Sequence, residues 1–274
     1  MTAPPDNFDG PSIAKALSSN TLVRKIYYFP EVDSTSAFAI RLVKDAASPA
    51  GFGGTLVVAD HQTSGHGRMN RKWVSPAGQN LLFSLVLTHQ SEAANDQFLN
   101  TLALSTPLAV RAAIAAMLPG ASVTVKYPND VLVSGAKCSG ILIQHGRGSE
   151  QSSPVSSWFV AGVGINVNYA PGPECDNITY PVTSIASALG GAADRLVVLQ
   201  NVLENLQLFL AMTPEVLADH MRVSCETLGK FVTVTTPSGP ISGTALSISR
   251  DGGLILREES GAERLIYSGD VLGQ

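Results

Sequence analysis

Residues 62–73 read QTSGHGRMNRKW, which packs glycines and cations into one short loop between two apolar runs. Glycine lets backbone N–H groups come close to a ligand and takes up conformations that other residues resist. His66, Arg68, Arg71 and Lys72 surround that backbone with positive charge. Arginine suits phosphate and carboxylate because its planar fork donates two parallel hydrogen bonds. The loop therefore has the chemistry to hold an anion; the plain alternative is a basic surface loop bathed in solvent.

Four further segments add to it. EVDSTS (31–36) puts Ser34, Thr35 and Ser36 at the start of a helix, where hydroxyls can meet a ligand or simply cap the helix. KYPND (126–130) ends a strand in a cation, a proline turn, an amide and a carboxylate, which is also ordinary turn chemistry. GAKCSGIL (135–142) places Lys137 at a strand entrance and Gly140 inside the strand, where a glycine marks either close approach of a ligand or a bulge. GVGINVN (162–168) is a glycine-punctuated strand carrying Asn166 and Asn168. It has no third glycine and no following helix, so it is not a dinucleotide fingerprint.

The elements that must position these residues alternate between strand and helix periods. Strands are expected over 25–29, 55–59, 81–88, 122–127, 131–133, 138–145 and 158–167. Helices are expected over 34–47, 101–118 and 194–212, with a short one from Pro214. Pro107 should kink its helix or restart it at Thr106. Residues 146–156 read as a flexible hairpin tip and 169–181 as a Pro/Gly-rich stretch. From Lys230 only short strands remain (231–236, 241–249, 253–258 and 263–267), which describes a small antiparallel barrel. The expected organisation is a mobile tail over 1–25, a main domain over 26–228 and the barrel over 229–274.

Composition limits the setting. With 274 residues, 45% of them hydrophobic, the chain can bury a full core. No apolar run in the sequence reaches the ~20 residues of a membrane helix. A formal charge of −4 argues against a broad nucleic-acid surface and makes the cations near Arg68 local. Cys138, Cys175 and Cys225 are odd in number and widely spaced, fitting neither a disulfide framework nor a zinc site, so a reducing compartment is expected. The first residues lack a signal-peptide core; Lys15, Arg24 and Lys25 leave a mitochondrial origin open beside a cytoplasmic one.

Taken in order, DST, HQTSGHGRMNRKW, KYPND, KCSGIL and GVGIN resemble the biotin protein ligases, over roughly residues 32–272. The resemblance implies an α+β fold: a mixed-sheet catalytic domain of the class II aminoacyl-tRNA-synthetase-like, biotin/lipoate ligase type, followed by a C-terminal SH3-like β-barrel. It implies activation of biotin with ATP and Mg²⁺ to biotinoyl-5′-AMP, then transfer to a lysine on the biotin-carrier domain of a carboxylase. It implies roles by position. Arg68, Lys137 and Asp130 are the catalytic set, with Asp130 orienting either Mg²⁺ or the acceptor lysine. Ser34, Thr35, Ser36 and Gln62 meet the ureido ring, Gly65, His66 and Gly67 close over biotin with Arg68, and Lys137 binds its carboxylate. Gly140, Leu142, Gly162 and Gly164 wall the rings. Arg68, Arg71, Trp73, Asn129, Lys137 and Asn166 face ATP, with Ile178 and Tyr180 as cover. A homodimer is open; no DNA-binding unit and no membrane attachment are expected.

Three positions depart from the family's pattern. His66 stands where arginine is usual, which should weaken adenylate retention or make it pH-sensitive, since an unperturbed histidine titrates at about 6.5. Ser36 replaces asparagine and Tyr127 replaces tryptophan. Two other readings stay open: a lipoate or octanoate transferase on the same fold, and a non-catalytic biotin sensor.

Overall fold

The computed structural model describes residues 7–45, 48–89, 95–148, 157–172, 181–236, 239–267 and 269–273. Alternating apolar and polar runs in the first two-thirds of the chain build one seven-stranded sheet, in the order β1-β2-β3-β7-β6-β5-β4. Its strands are β1 (Lys25–Val32), β2 (Thr55–Gln62), β3 (Leu81–His89), β4 (Val123–Lys126), β5 (Asp130–Val133), β6 (Ala136–Arg147) and β7 (Ser157–Ile165). Only β1 and β2 run parallel, joined through α2 (Thr35–Lys44); every other pairing is antiparallel, so the sheet is mixed.

Strand side chains alternate between faces. One face carries Leu81, Phe83, Leu85, Val163 and Ile165, buried beneath α3 (Asn95–Met117) and α5 (Arg195–Leu210). The other carries Val57, Val86, Trp158 and Val160 and is covered by α2 through Ala39 and Val43. The helix α2 covers only part of that face. The rest lies open, and the residues singled out by the sequence motifs gather there.

Pro107 was expected to kink its helix or restart it at Thr106; helix α3 does not restart and runs from Asn95 to Met117 with Pro107 inside. Thr106 Oγ1 donates to the Leu102 carbonyl at 2.8 Å. Burial offsets the lost backbone bond, because Leu102, Ala109 and Val110 enter the main core while Leu104 and Leu108 enter a second one. By length and composition α3 is apolar enough to cross a membrane, but 61% of its most apolar window is buried within this protein. Its apolarity serves packing on two sides.

The N-terminal segment corrects a second expectation. Residues 1–6 lie outside the described residues, but Gly10–Ala16 form helix α1, capped by Asp9, which accepts from Ser12 N at 2.8 Å. Phe8, Ile13 and Leu17 are buried in the main core. Phe8 also covers the Arg195 guanidinium, whose carbon lies 4.1 Å from the ring centroid. Arg195 is itself buried and donates to Asp60 Oδ1 at 2.8 Å, while Tyr28 donates to Asp60 Oδ2 at 2.5 Å. Burial, then the neighbouring Asp60 carboxylate, raises the Tyr28 hydroxyl to about 12. This network ties β1, β2 and α5 together below the open face.

Helices α4 (Ile185–Leu189) and α6 (Pro214–Ser224) complete the layer, and α4 had no clear signal in the sequence. The last segment forms a five-stranded antiparallel sheet, β11-β10-β9-β8-β12. Its strands are β8 (Phe231–Thr236), β9 (Gly239–Ile248), β10 (Leu254–Arg257), β11 (Glu263–Ile266) and β12 (Asp270–Gly273). Strand β12 was not foreseen. Val232, Val234, Ala245, Ile248, Leu254 and Leu256 share one core with Leu104, Leu108, Tyr127, Leu217 and Met221, so this sheet is packed onto α3 and α6.

Ile13→Ala should destabilise the whole fold by about 2–4 kcal/mol, since a fully buried aliphatic chain is cut to a methyl. Urea denaturation followed by circular dichroism checks this; a change under ~0.5 kcal/mol would mean that α1 contributes little to the fold.

Candidate active site

The open face owes its shape to glycine. Across neighbouring strands, Asp130, Gly140, Gly164 and Leu82 stand opposite one another in one row, and Leu142, Gly162 and Ser84 in the next. Three of these positions have no side chain, so the sheet surface drops into a trench. A Cβ on Gly164 would lie 2.6 Å from the Trp73 ring, and one on Gly140 would lie 3.1 Å from it. The indole rests flat over bare backbone.

Lys137 reaches the trench through an irregularity in β6. Val131 pairs with Ser139 but Leu132 pairs with Lys137, so Cys138 is an extra residue. The bulge sends Cys138 into the core and leaves Lys137 and Gly140 on the same side. Lys137 Nζ then lies 2.8 Å from Asp130 Oδ1. Asn129 stands beside them, donating to the Ile141 carbonyl at 3.1 Å and accepting from Arg68 Nη1 at 3.2 Å.

The basic loop is a small hairpin. Trp73 N donates to the Gly65 carbonyl at 2.9 Å, His66 bridges Lys72, and Gly67 N donates to the Arg71 carbonyl at 2.8 Å. Its tip turns at Met69, a non-glycine residue at φ 54° with its side chain largely exposed. His66 is pinned by Nδ1 to the Ser64 carbonyl at 3.1 Å. The C-terminal sheet meets this loop at the start of β12. Arg68 Nη2 donates to the Gly269 carbonyl at 2.6 Å, and Asp270 pairs with Arg71 and lies 4.0 Å from Arg68 Nε.

At the other end of the trench, Ser34 caps α2, with Oγ accepting from Ala37 N at 3.4 Å. Capping and site membership hold together here. Arg41 clamps Asp33 with two bonds of 2.7 and 2.9 Å, which fixes the turn into the helix and brings the Asp33 carboxyl down to about 2. Thr35 and Ser36 are buried and face Gln62 and Ser84.

These groups enclose a cavity of about 590 Å³, within the range of small-molecule sites. Its lining contains Ser34, Thr35, Ser36, Gln62, His66, Gly67, Arg68, Arg71, Trp73, Asn129, Asp130, Lys137, Gly140, Leu142, Gly162, Gly164 and Asn166, drawn from motifs up to 132 positions apart. Gly65 alone of the expected set stands behind the lining, where a Cβ would meet Gln62 Nε2 at 2.9 Å. Asn166 is 2% exposed and its amide is occupied, donating to the Thr183 carbonyl at 3.1 Å. Ile178 and Tyr180, expected as cover, lie outside the described residues, as does most of the expected hairpin tip.

Sequence reasoning named Lys72 among the loop cations but missed Val74, Ile141, Val163, Pro171, Val182 and Asp270. Asp270 matters most chemically; a lone carboxylate near the chain end gave no signal. No group of three or more His, Cys, Asp or Glu side chains able to hold a metal occurs among the described residues. Cys138 is fully buried, and burial raises its thiol to about 12.

Comparison with known proteins agrees with this architecture. The model of the biotin/lipoate A/B protein ligase family matches residues 28–159, and that of the biotin protein ligase C-terminal domain matches residues 227–272. The biotin–[acetyl-CoA-carboxylase] ligase of Mycobacterium tuberculosis is 30% identical over 256 residues, covering 91% of this chain and 89% of that protein. The bifunctional ligase/repressor BirA of Bacillus subtilis is 30% identical over 274 residues, covering 97% of this chain and 79% of that protein. Among solved structures, the Aquifex aeolicus biotin protein ligase in complex with biotin and ATP superposes with a TM-score of 0.70 at 30% identity, over 91% of this chain and 98% of that one.

Asp270→Asn should loosen the basic loop. Losing a half-exposed charge-assisted contact of about 1 kcal/mol corresponds to roughly five-fold faster tryptic cleavage after Arg68 and Arg71 in ligand-free protein. Unchanged cleavage would show that Asp270 does not restrain the loop. Iodoacetamide at pH 8 should leave the Cys138 peptide unlabelled in folded protein and label it after denaturation, because only the thiolate reacts. Peptide mass mapping reads both states.

Proposed function

The chain belongs to the biotin protein ligase family, and on that premise we propose that it joins biotin to a carrier-protein lysine in two steps driven by ATP. In the first step a biotin carboxylate oxygen attacks the α-phosphorus of ATP and pyrophosphate leaves, giving biotinoyl-5′-AMP. In the second a lysine ε-amine attacks the activated carbonyl, an amide forms, AMP leaves and the amine gives up a proton. The observation that carries this reading is the convergence of Arg68, Arg71 and Lys137 on one end of a glycine-floored cavity whose other end is lined by buried hydroxyls.

The physical obstacle in the first step is repulsion. A carboxylate and a phosphate at 4 Å, in an effective dielectric of 20, oppose each other by about 4 kcal/mol. Lys137 lies between the trench and Asp130 and can turn from Asp130 toward the biotin carboxylate and α-phosphate. Arg68, steadied by Asn129 and the Gly269 carbonyl, suits the same phosphate and the charge that develops on it. Arg71, half exposed, suits the β- and γ-phosphates. Trp73 over Gly140 and Gly164 offers a flat apolar surface for a ring and keeps water from the mixed anhydride.

Magnesium is held in many nucleotide sites by one or two carboxylates together with phosphate oxygens. Asp130 and Asp270 are the carboxylates lining this cavity and fit that mode; when bound, the ion supplies positive charge against the triphosphate. Asp130 also fits the task of receiving the acceptor lysine. The carrier domain of a biotin-dependent carboxylase is the proposed partner. Cys138 and Cys225 as free thiols suit a cytoplasmic setting.

Purified protein given biotin, ATP, Mg²⁺ and a biotin-carrier domain should biotinylate the carrier lysine. Lys137→Ala should lower adenylate formation by about 10²–10³-fold, as expected for loss of a charged transition-state donor. Arg68→Gly should form adenylate but release it, giving diffuse labelling of other proteins. Pyrophosphate release that depends on lipoate or octanoate and not on biotin would overturn the reading.

A further inference from the structure

The buried hydroxyls at the biotin end form a chain whose direction can be deduced. The Thr35 backbone N–H, which can only donate, lies 2.7 Å from Gln62 Oε1, so that atom is the amide oxygen and not the nitrogen. Thr35 Oγ1 lies 3.0 Å from the same oxygen and must spend its proton there. Ser84 Oγ, 2.9 Å from Thr35 Oγ1, then has to donate to it. Ser36 Oγ, 2.9 Å from Ser84 Oγ, in turn has to donate to Ser84. The order is Ser36 to Ser84 to Thr35 to Gln62, with every proton assigned.

The two ends of this chain therefore differ in kind. Ser36 Oγ has given its proton inward and presents lone pairs. Gln62 has engaged its oxygen and presents the two N–H donors of Nε2. Both ends have room. A Cβ on Gly162 would collide with Ser36 Oγ, and one on Gly65 would press on Gln62 Nε2. Ser84 is fully buried on β3 and is not itself among the residues lining the cavity, so it acts only through Thr35 and Ser36, which are.

We propose that Ser84 is a positioning residue that fixes the polarity of this subsite, making it selective for a ligand group with an N–H donor beside a carbonyl acceptor. This rests on the biotin reading, and a cyclic urea is such a group. The dithiolane of lipoate and the methyl end of octanoate offer neither function. In Ser84→Ala the Ser36 proton loses its acceptor and turns to the cavity, so the subsite no longer demands a donor there.

The test compares biotin with its carbamate analogue, in which one ureido N–H is replaced by oxygen, by isothermal titration to wild type and Ser84→Ala. Wild type should prefer biotin by roughly ten-fold or more, because the analogue sets an oxygen against the Ser36 lone pairs. In Ser84→Ala biotin affinity should fall by roughly ten-fold while the analogue changes by less than about two-fold, so the preference collapses. The turnover number for adenylate formation at saturating biotin should stay as in wild type. Ser84→Cys, with a weaker donor of similar size, should give an intermediate preference and serves if the alanine variant does not fold. Equal losses for both ligands, or an undiminished preference in the variants, would overturn the polarity assignment alone. Wild type that binds neither ligand would overturn the biotin reading and this proposal together.

Discussion

Positive charges held around one cavity repel each other when no anion is present, and the site is organised around that constraint. Lys137 is paired with Asp130 and Arg71 with Asp270, while Arg68 is hydrogen-bonded by the neutral Asn129 side-chain oxygen and Gly269 carbonyl and lies 4.0 Å from Asp270. Both carboxylates sit at a strand start: Asp130 opens β5 and Asp270 opens β12. The loop can thus be held in a binding-ready form without ligand, at the cost that incoming anions must displace its carboxylate partners. That exchange favours ligands which bring several charges at once. A triphosphate with a neighbouring carboxylate does so, whereas a single small anion gains little over the internal partners.

The C-terminal sheet takes part in the same arrangement. Tyr127 donates its hydroxyl toward the Gly252 and Ile266 carbonyls, at 3.0 and 3.2 Å, just after the lysine that opens KYPND. A tryptophan at this place has its one donor on a larger, differently placed ring. The tyrosine therefore preserves an apolar anchor and adds a polar tie across the two sheets. Since Ile266 closes β11 and Asp270 follows shortly after, the anchor and the salt bridges to the loop lie close together along one stretch of chain. The shared core of α3, α6 and β8–β10 makes this stretch part of the catalytic body in packing terms.

Much of this was legible in the residues. Apolar runs and alternation located the seven strands of the main sheet, because one face is buried under α3 and α5 and the other is covered in part by α2. The motifs identified most of the cavity lining, because glycine within a strand and paired cations in a loop are costly unless something uses them. The misses have physical causes. Pro107 did not restart its helix because α3 packs into two cores. Helix α1 was hidden by the Pro-rich composition around it, although Ile13 and Leu17 at a helical spacing were its trace. Asp270 and Ser84 were invisible for a different reason: each gains its role from residues far away, 199 positions in the case of Arg71. Long-range polar pairing leaves no periodicity for a sequence to display.

The two ends of the cavity solve opposite problems with related means. At the end proposed to hold phosphate, charge must be strong yet replaceable, so the partners are ion pairs at partly exposed side chains, where water weakens each contact. At the ring end the groups are neutral and buried, and a mismatched hydrogen bond there costs about 1–3 kcal/mol. The second end can therefore be selective without being charged, and its selectivity follows from proton direction as much as from shape. The cavity along the glycine row, where Trp73 packs on Gly140 and Gly164 and Ser36 on Gly162, connects them. It lets one elongated ligand span both ends, so that recognition of a neutral ring places a carboxylate beside the cations, which could not themselves distinguish one acid from another.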